Sequence, residues 1–193
     1  MRKLRSVKII FVTSNESKLR EARQILGVEI DSVDLDLPEP QALDVADVAA
    51  QKALAARAAL HNPPRPVLVE DSGIIFGAWN GLPGALTKWF LAAVGNEGLL
   101  RMLLAEEDRS AHAVCAVAVA DAAGSVRVFV GEVEGEVAGP PRGEGGFGWD
   151  PIFVPEGERR TYAEMGPDKN TISHRARAFE AAREGLADLL RAP

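Results

Sequence analysis

Cysteine is nearly missing from this sequence: Cys115 is the only one among 193 residues. One thiol cannot form an intrachain disulfide. Its run, Ala113-Val114-Cys115-Ala116-Val117, is the setting of a buried, inert thiol and fits a reducing cytosol. An excess of positive charge is missing as well. The formal net charge is -6. That argues against gripping a nucleic-acid backbone over a long footprint, which needs clustered Lys and Arg. A small phosphate pocket needs only a few well-placed cations. Long apolar runs are missing too, and none approaches the ~20 residues of a membrane span. The run after the basic start, MRKLRSVKIIFV, is about five residues, shorter than a signal-peptide core of about 7–15. Internal repeats, low-complexity segments and convincing linkers are also lacking. These absences predict one soluble, cytoplasmic domain over residues 1–193, with no nucleic-acid or membrane partner.

Apolar residues make up 47% of the chain, ordinary for a globular core. The chain is organised around residues 69–90, VEDSGIIFGAWNGLPGALTKWF. Pro66-Val67-Leu68-Val69 is an apolar strand signal that ends in two acids, Glu70 and Asp71. Open α/β sheets place their chemistry where strands end in acids followed by small residues. A loop with Gly73, Gly77, Gly81, Pro83 and Gly84 follows, and Lys88-Trp89-Phe90 closes it. The plainer reading is a strand, a Gly/Pro-rich connection and a helix, with Asp71 starting a turn.

Upstream, residues 7–12, VKIIFV, read as a short buried strand. Thr13-Ser14-Asn15-Glu16-Ser17-Lys18 leads into a helix with an apolar face of Leu19, Ala22, Ile25 and Leu26, stopped by Gly27. A helix N-terminus offers free N–H groups and a positive dipole end to an anion. Thr13, Ser14, Asn15 and Ser17 add donors, and Lys18 adds a point charge. The segment is no Walker loop, since it lacks glycines and the right Lys spacing. Capping by Ser14 or Asn15 explains one of these residues, not the whole cluster. Residues 28–37, VEIDSVDLDL, alternate as a half-exposed strand does. Glu39, between Pro38 and Pro40, has a largely fixed direction. It reads as a metal ligand or as a solvated loop acid. Residues 44–60 are Ala-rich and helical, stopped by His61-Asn62-Pro63-Pro64. Lys52 shares a face with Val45, Val48 and Ala56, where it either snorkels or reaches into a cleft.

Downstream, residues 91–107 read as helix, and residues 112–120 and 126–137 as a hairpin. The loop over 139–148 contains Gly143, Gly145 and Gly148, formally G-x-G-x-x-G. Trp149-Asp150-Pro151-Ile152-Phe153-Val154 cannot open the helix that a dinucleotide fingerprint needs. Thr161-Tyr162-Ala163-Glu164 has capping-box spacing. The last helix carries an apolar stripe at Ile172, Ala176, Phe179, Leu186 and Leu190. His174 and Arg175 lie in its first turn, off that stripe. Cations are disfavoured at that end, which points to an anion there.

The unusual residues form a set. A donor-rich turn ends in Lys18. Glu39 and Asp71 are carboxylates, while Lys52, Lys88, Lys169 and Arg175 are cations. Phe147 and Trp149 are aromatics on a glycine loop. Carboxylates for Mg²⁺, cations for phosphates and aromatics for a base describe a nucleoside triphosphate site. No nucleophilic Ser or Cys dyad stands out, so metal-assisted attack by water is the economical chemistry.

These pieces resemble the inosine triphosphate pyrophosphatase family, whose members hydrolyse ITP, dITP and XTP to the monophosphate and pyrophosphate. The matching motifs are T-x-N-x-x-K at Thr13, Asn15 and Lys18, LPEPQ around Glu39, and VEDSG at Asp71. GLPG from Gly81, KWF from Lys88, FGWDP from Phe147 and KNTISHR from Lys169 to Arg175 complete them. They span almost the whole chain in the family's order. The resemblance implies an elongated α/β fold: a mixed central β-sheet flanked by helices, and two lobes with an active-site cleft between them, usually as a homodimer. It implies that Glu39 and Asp71 serve Mg²⁺, and that Asp71, Lys18 and Glu39 are catalytic. Asp71 would orient or deprotonate the attacking water. Asn15, Lys18, Lys52 and Lys169 would hold phosphates, with Thr13, Ser14 and Ser72 beside them. Phe147 would stack on the base, and Gly148, Trp149, Asp150, His174 and Arg175 would surround its edge. Two alternatives stay open: a related pyrophosphatase for other modified nucleotides, and a catalytically inert nucleotide-binding sensor. Intact Glu39, Asp71 and Lys18 weigh against the sensor.

Overall fold

The computed structural model describes residues 8–27 and 29–189. Ile9–Val12 (β1) is apolar and buried at every position, as a strand covered on both faces must be. It leads into α1 (Glu16–Leu26), which Asn15 caps by accepting the N–H groups of Ser17 and Lys18, and which Gly27 ends in the left-handed region at φ 62°. The edge strand β2 (Ile30–Val33) pairs parallel with β1 and stops at Val12↔Val33, where β1 itself ends. The alternating pattern expected through residue 37 therefore outlasts the strand. Val7 and Val28, included in the expected strands, lie outside the described residues.

In α2 (Val45–Ala59), capped by Asp44, Ala49, Ala53 and Ala56 are fully buried. Their small side chains let the helix lie close on the sheet. The next strand, β3 (Val67–Phe76), does not end at Glu70-Asp71 as expected. It runs on because β5 (Ser110–Ala120) pairs antiparallel with its whole length, from Val67↔Ala120 to Phe76↔Ala111. The other edge of β3 is covered only at its ends. There β1 meets Val67 and Leu68, and the short β4 (Pro83–Gly84) meets Ile74 and Ile75. From Val69 to Gly73 that edge has no strand neighbour among the described residues. Gly73 is required where β4 closes in, because a Cβ there would collide with the carbonyl of Gly84.

Helix α3 (Thr87–Met102) begins earlier and ends earlier than the expected 91–107, and it is two segments joined at Gly95, with φ 64°. Lys88-Trp89-Phe90 thus form its first turn. The hairpin is completed by β6 (Val126–Val137). A three-residue strand, β7 (Phe153–Pro155), adds to β6; it is too short to show a sequence period. The expected capping box of Thr161 and Glu164 opens α4 (Tyr162–Met165). The last element is α5 (His174–Leu189); Leu190 of the expected stripe lies outside the described residues. Among those residues the seven strands form one mixed sheet ordered β2-β1-β3-β5-β6-β7, with β4 on β3. No described helix is long and apolar enough to cross a membrane.

Strand alternation assigns the two faces of the sheet. Leu68, Cys115 and Val117 pack against Ala22 and Leu26 of α1 and Phe179, Ala182 and Leu186 of α5. Val67, Val69, Val114 and Ala116 pack against Val45, Ala49 and Ala53 of α2. A third cluster, with Phe76, Leu99, Trp149, Phe153 and Tyr162, closes the far end of the hairpin. Glu70 therefore follows Leu68 towards α1 and α5, and Asp71 follows Val69 towards α2.

Candidate active site

The open edge of β3 borders a cavity of about 1130 Å³. Its walls include Thr13, Ser14, Asn15 and Lys18 at the start of α1, and Asp71 and Ser72 on β3. Glu39, Lys52 and Lys88 face it from the loop before α2, from α2 and from α3, and Phe147, Gly148 and Trp149 from the glycine loop. Residues far apart in sequence and grouped by chemistry alone thus share one concave surface. Asp150, Lys169, His174 and Arg175 do not line it; they sit behind the wall.

The carboxylates meet at Lys52. Its ammonium stands 3.3 Å from each oxygen of Glu39 and 3.4 Å from Asp71 Oδ1. Lys52 is the reaching lysine, not the snorkelling one. Lys88, more exposed, adds a contact of 3.4 Å to Glu39. Burial pulls the Glu39 carboxyl up, but Lys52 and Lys88 outweigh it and hold it below its ordinary range. Asp71 goes the other way. Its burial exceeds the help from Lys52 and Lys18, and Glu70 and Glu39 add repulsion, so its proton affinity is raised. Lys52 is itself raised: burial opposes its charge, but Asp71 and Glu39 outweigh that.

At the start of α1 the donor cluster is partly spent on the helix itself. Asn15 Oδ1 accepts from Ser17 and Lys18 N–H at 2.9 and 3.2 Å, and Thr13 Oγ1 accepts from Asn15 N–H at 3.1 Å. Capping is thus one real role of Asn15. The Lys18 ammonium lies 2.6 Å from Glu70 Oε2 as an ion pair without hydrogen-bond alignment.

At the aromatic end, Gly146 is held at φ 77°, and a Cβ there would strike the Asp150 carboxylate. The space lets Asp150 Oδ2 accept from Phe147 N–H at 2.9 Å while bonding Lys169 Nζ at 2.6 Å. Lys169 is buried in this pair rather than presented to the cavity. Lys169 and Arg175 lie 4.8 and 4.9 Å from the Phe147 ring centre, both within cation–π range. Asn96 Nδ2 donates to the carbonyl of Gly148 at 2.9 Å and ties α3 to the loop. His174 is buried between Trp149 and Tyr162, and neither ring nitrogen has a partner. Burial first, then Arg175, holds it well below its ordinary value, so it is neutral at pH 7.

Arg175 is almost wholly buried. Its Nε donates to Glu70 Oε1 at 3.2 Å, its Nη1 to Glu21 Oε2 at 2.9 Å, and its Nη2 makes a long 3.5 Å contact to Ser72. Neither Glu70 nor Glu21 is among the residues expected at the site. For Glu70 a signal existed: strand alternation turns it away from Asp71, and a buried acid needs cations. Glu21 and Asn96 had none.

Among the described residues, no group of three or more His, Cys, Asp or Glu side chains gathers as a metal cage. Two carboxylates that reach one ammonium nevertheless address one point in space, and their hard oxygens suit Mg²⁺, which draws remaining ligands from water and substrate phosphates.

The match to known proteins covers the residues that build this cavity. The Ham1 family model matches residues 9–185. The chain belongs to the Ham1 family. The dITP/XTP pyrophosphatase of Methanopyrus kandleri is 44% identical to this chain over 178 residues, covering 90% of this chain and 93% of that protein. The inosine triphosphate pyrophosphatase of Tuber melanosporum is 48% identical over 183 residues, covering 92% and 96%. The solved structure of a HAM1 protein from Coxiella burnetii superposes with a TM-score of 0.83 at 31% identity, covering 94% of this Ham1 chain and 99% of the other.

Proposed function

We propose that this chain is a Mg²⁺-dependent nucleoside triphosphate pyrophosphatase. It takes purine triphosphates with a 6-oxo base, namely ITP, dITP and XTP, to the monophosphate and pyrophosphate, and so clears them from the nucleotide pool. One observation carries the reading: a single cavity runs from a helix N-terminus, past Lys18, Lys52 and Lys88 and two carboxylates, to an aromatic loop. That order of charge and π-surface matches a triphosphate tail, a cation and a base. The names borne by the relatives support the same reaction.

Lys18, Lys52 and Lys88 bind the tail and spread its negative charge, and the positive dipole end of α1 adds to this. Water attacks the α-phosphorus; the bond from that phosphorus to the bridging oxygen breaks, and pyrophosphate leaves. Asp71 is the group to take the water proton, because burial raises its proton affinity while Lys52 and Lys88 lower that of Glu39. Glu39 and Asp71 would hold Mg²⁺, which when bound neutralises phosphate charge and polarises the phosphoryl oxygen. Phe147 offers its face to the base. A cytoplasmic homodimer is part of the proposal; the exposed Leu43 and Trp89 beside the cavity are apolar surface that a second copy would cover.

The test is product identification with ITP and Mg²⁺. IMP and pyrophosphate should appear together from the first turnover. Orthophosphate as first product, with IDP accumulating, would falsify the reading.

A further inference from the structure

Glu70 lies next to the proposed base in sequence but belongs to a different part of the molecule. Its side chain is fully buried. Oε1 accepts from Arg175 Nε at 3.2 Å and from the Cys115 thiol at 3.1 Å, while Oε2 faces Lys18 Nζ at 2.6 Å. Burial alone would neutralise such an acid, but a cation stands against each of its oxygens and keeps the carboxylate charged. The two cations come from different helices. Lys18 projects from α1 and lines the phosphate end of the cavity. Arg175 projects from α5 and lies under the ring of Phe147 at the aromatic end. One carboxylate on the central strand thus fixes a cation at each end of the substrate's length.

We infer that Glu70 is a positioning residue for the reaction: it holds the Lys18 ammonium at the α1 end and the Arg175 guanidinium under Phe147, and touches no reacting atom. This rests on the reading of the cavity as a triphosphate site. The charge and the geometry pull in opposite directions, which gives the role a signature. Removing the negative charge beside the phosphate end makes that end more attractive to anions, so ground-state binding does not weaken. Releasing Lys18 from its fixed place costs transition-state stabilisation, because a misplacement of about 1 Å is enough to lose ~10²-fold in rate. A purely structural role would loosen the cavity, raising KM and lowering kcat together.

The experiment compares the full-length chain with Glu70→Gln, Lys18→Met and the double variant, using ITP for kinetics and inorganic tripolyphosphate as a binding probe in calorimetry. For Glu70→Gln, kcat should fall at least ~10-fold, with KM for ITP no higher than in wild type and tripolyphosphate bound at least as tightly. In the Lys18→Met background the same substitution should cost less than ~2-fold, since residues acting as a unit are not additive. An unchanged kcat, a joint rise in KM and fall in kcat, or full additivity with Lys18→Met each overturns the inference. Should Glu70→Gln fail to fold, Glu70→Asp keeps the charge but cannot reach both cations. It should then lower kcat by a smaller factor with KM for ITP unchanged, and wild-type kinetics in it count against the role. Tripolyphosphate binding separates the two readings: if wild type binds it but does not cleave ITP, the substrate assignment fails. If Glu70→Gln then binds it more weakly, the Glu70 role fails on its own account.

Discussion

Glu70 and Asp71 are adjacent on β3, yet their carboxylates serve opposite faces of the sheet. Glu70 is paired with Lys18 and Arg175 on the α1 and α5 side, and Asp71 with Lys52 of α2. Two environments set two proton affinities. Glu70 is held down by two cations, and Asp71 is pushed up by burial that its neighbours do not offset.

That contrast predicts opposite effects on stability and on rate for Asp71→Asn. A raised folded-state value makes Asp71 stabilising below its ordinary value of 3.8, and that contribution is lost as pH rises through the raised value. At pH 7 its charge is a cost. Asp71→Asn should therefore melt no lower than wild type at pH 7, while turnover falls at least ~10²-fold if it moves a proton. The acid limb of kcat/KM in wild type should lie above the range of an ordinary aspartate. A variant that melts lower yet turns over normally would contradict both halves.

Glu70 carries the opposite linkage. Its depressed folded-state value gives stability above its ordinary value of 4.5, and that stability is lost as pH falls through the folded-state value. Glu70→Gln should cost about 3–5 kcal/mol at pH 7, the scale of breaking a buried pair, with the lower end favoured because Glu21 still faces Arg175. Melting curves between pH 7 and pH 3 should then show a shallower acid loss in the variant than in wild type. Parallel curves would place the acid sensitivity elsewhere.

The metal prediction follows from Lys52. Its ammonium holds both carboxylates, so a divalent cation arriving alone competes with a lysine already in place. EDTA should abolish turnover and added Mg²⁺ restore it. Without nucleotide, Mn²⁺ followed by electron paramagnetic resonance should bind at least ~10-fold more tightly to Lys52→Met than to wild type, about 1.4 kcal/mol. Equal affinities would show that Glu39 and Asp71 are not the pair that receives the ion.

Much of this site was legible because chemistry repeats at motif scale. Asn15, Lys18, Glu39, Lys52, Asp71, Phe147 and Trp149 could be grouped by residue type and motif, and the structure places all seven on one cavity. What sequence could not show was pairing. The expected end of β3 at Asp71 was wrong because β5, some 40 residues downstream, extends it. A local pattern carries no record of such a partner. The assignment of Lys169 to a phosphate contact came from its charge and the family resemblance, and the 2.6 Å bond to Asp150 depends on a turn that only a glycine at position 146 allows. Strand alternation sends Glu70 and Asp71 to opposite faces, a difference that two adjacent acids read as a pair conceal.

The last prediction concerns base choice. Hypoxanthine and xanthine present O6 as an acceptor and N1–H as a donor, and adenine reverses both. A site that donates to O6 leaves donors unpaired when ATP enters, which discriminates far more strongly than a missing methylene. Two groups at the aromatic end bear on this. Neutral His174 has one N–H and one bare nitrogen, both without partners, beside Trp149. Arg175 is already bound to Glu70 and Glu21, so reading a base would require one of its N–H groups to be released. Guanine also offers O6 and N1–H, so these donors cannot reject GTP. The measurement is kcat/KM for ITP, GTP and ATP in wild type and in Arg175→Ala, with melting temperatures alongside. Wild type should strongly prefer ITP. The variant should melt lower, because two buried carboxylates lose their shared cation, and its loss should be largest for ITP, narrowing the gap to ATP. If all three substrates fall by one factor, Arg175 acts through the carboxylate network alone, and the choice of base passes to His174 and the Phe147–Asp150 loop.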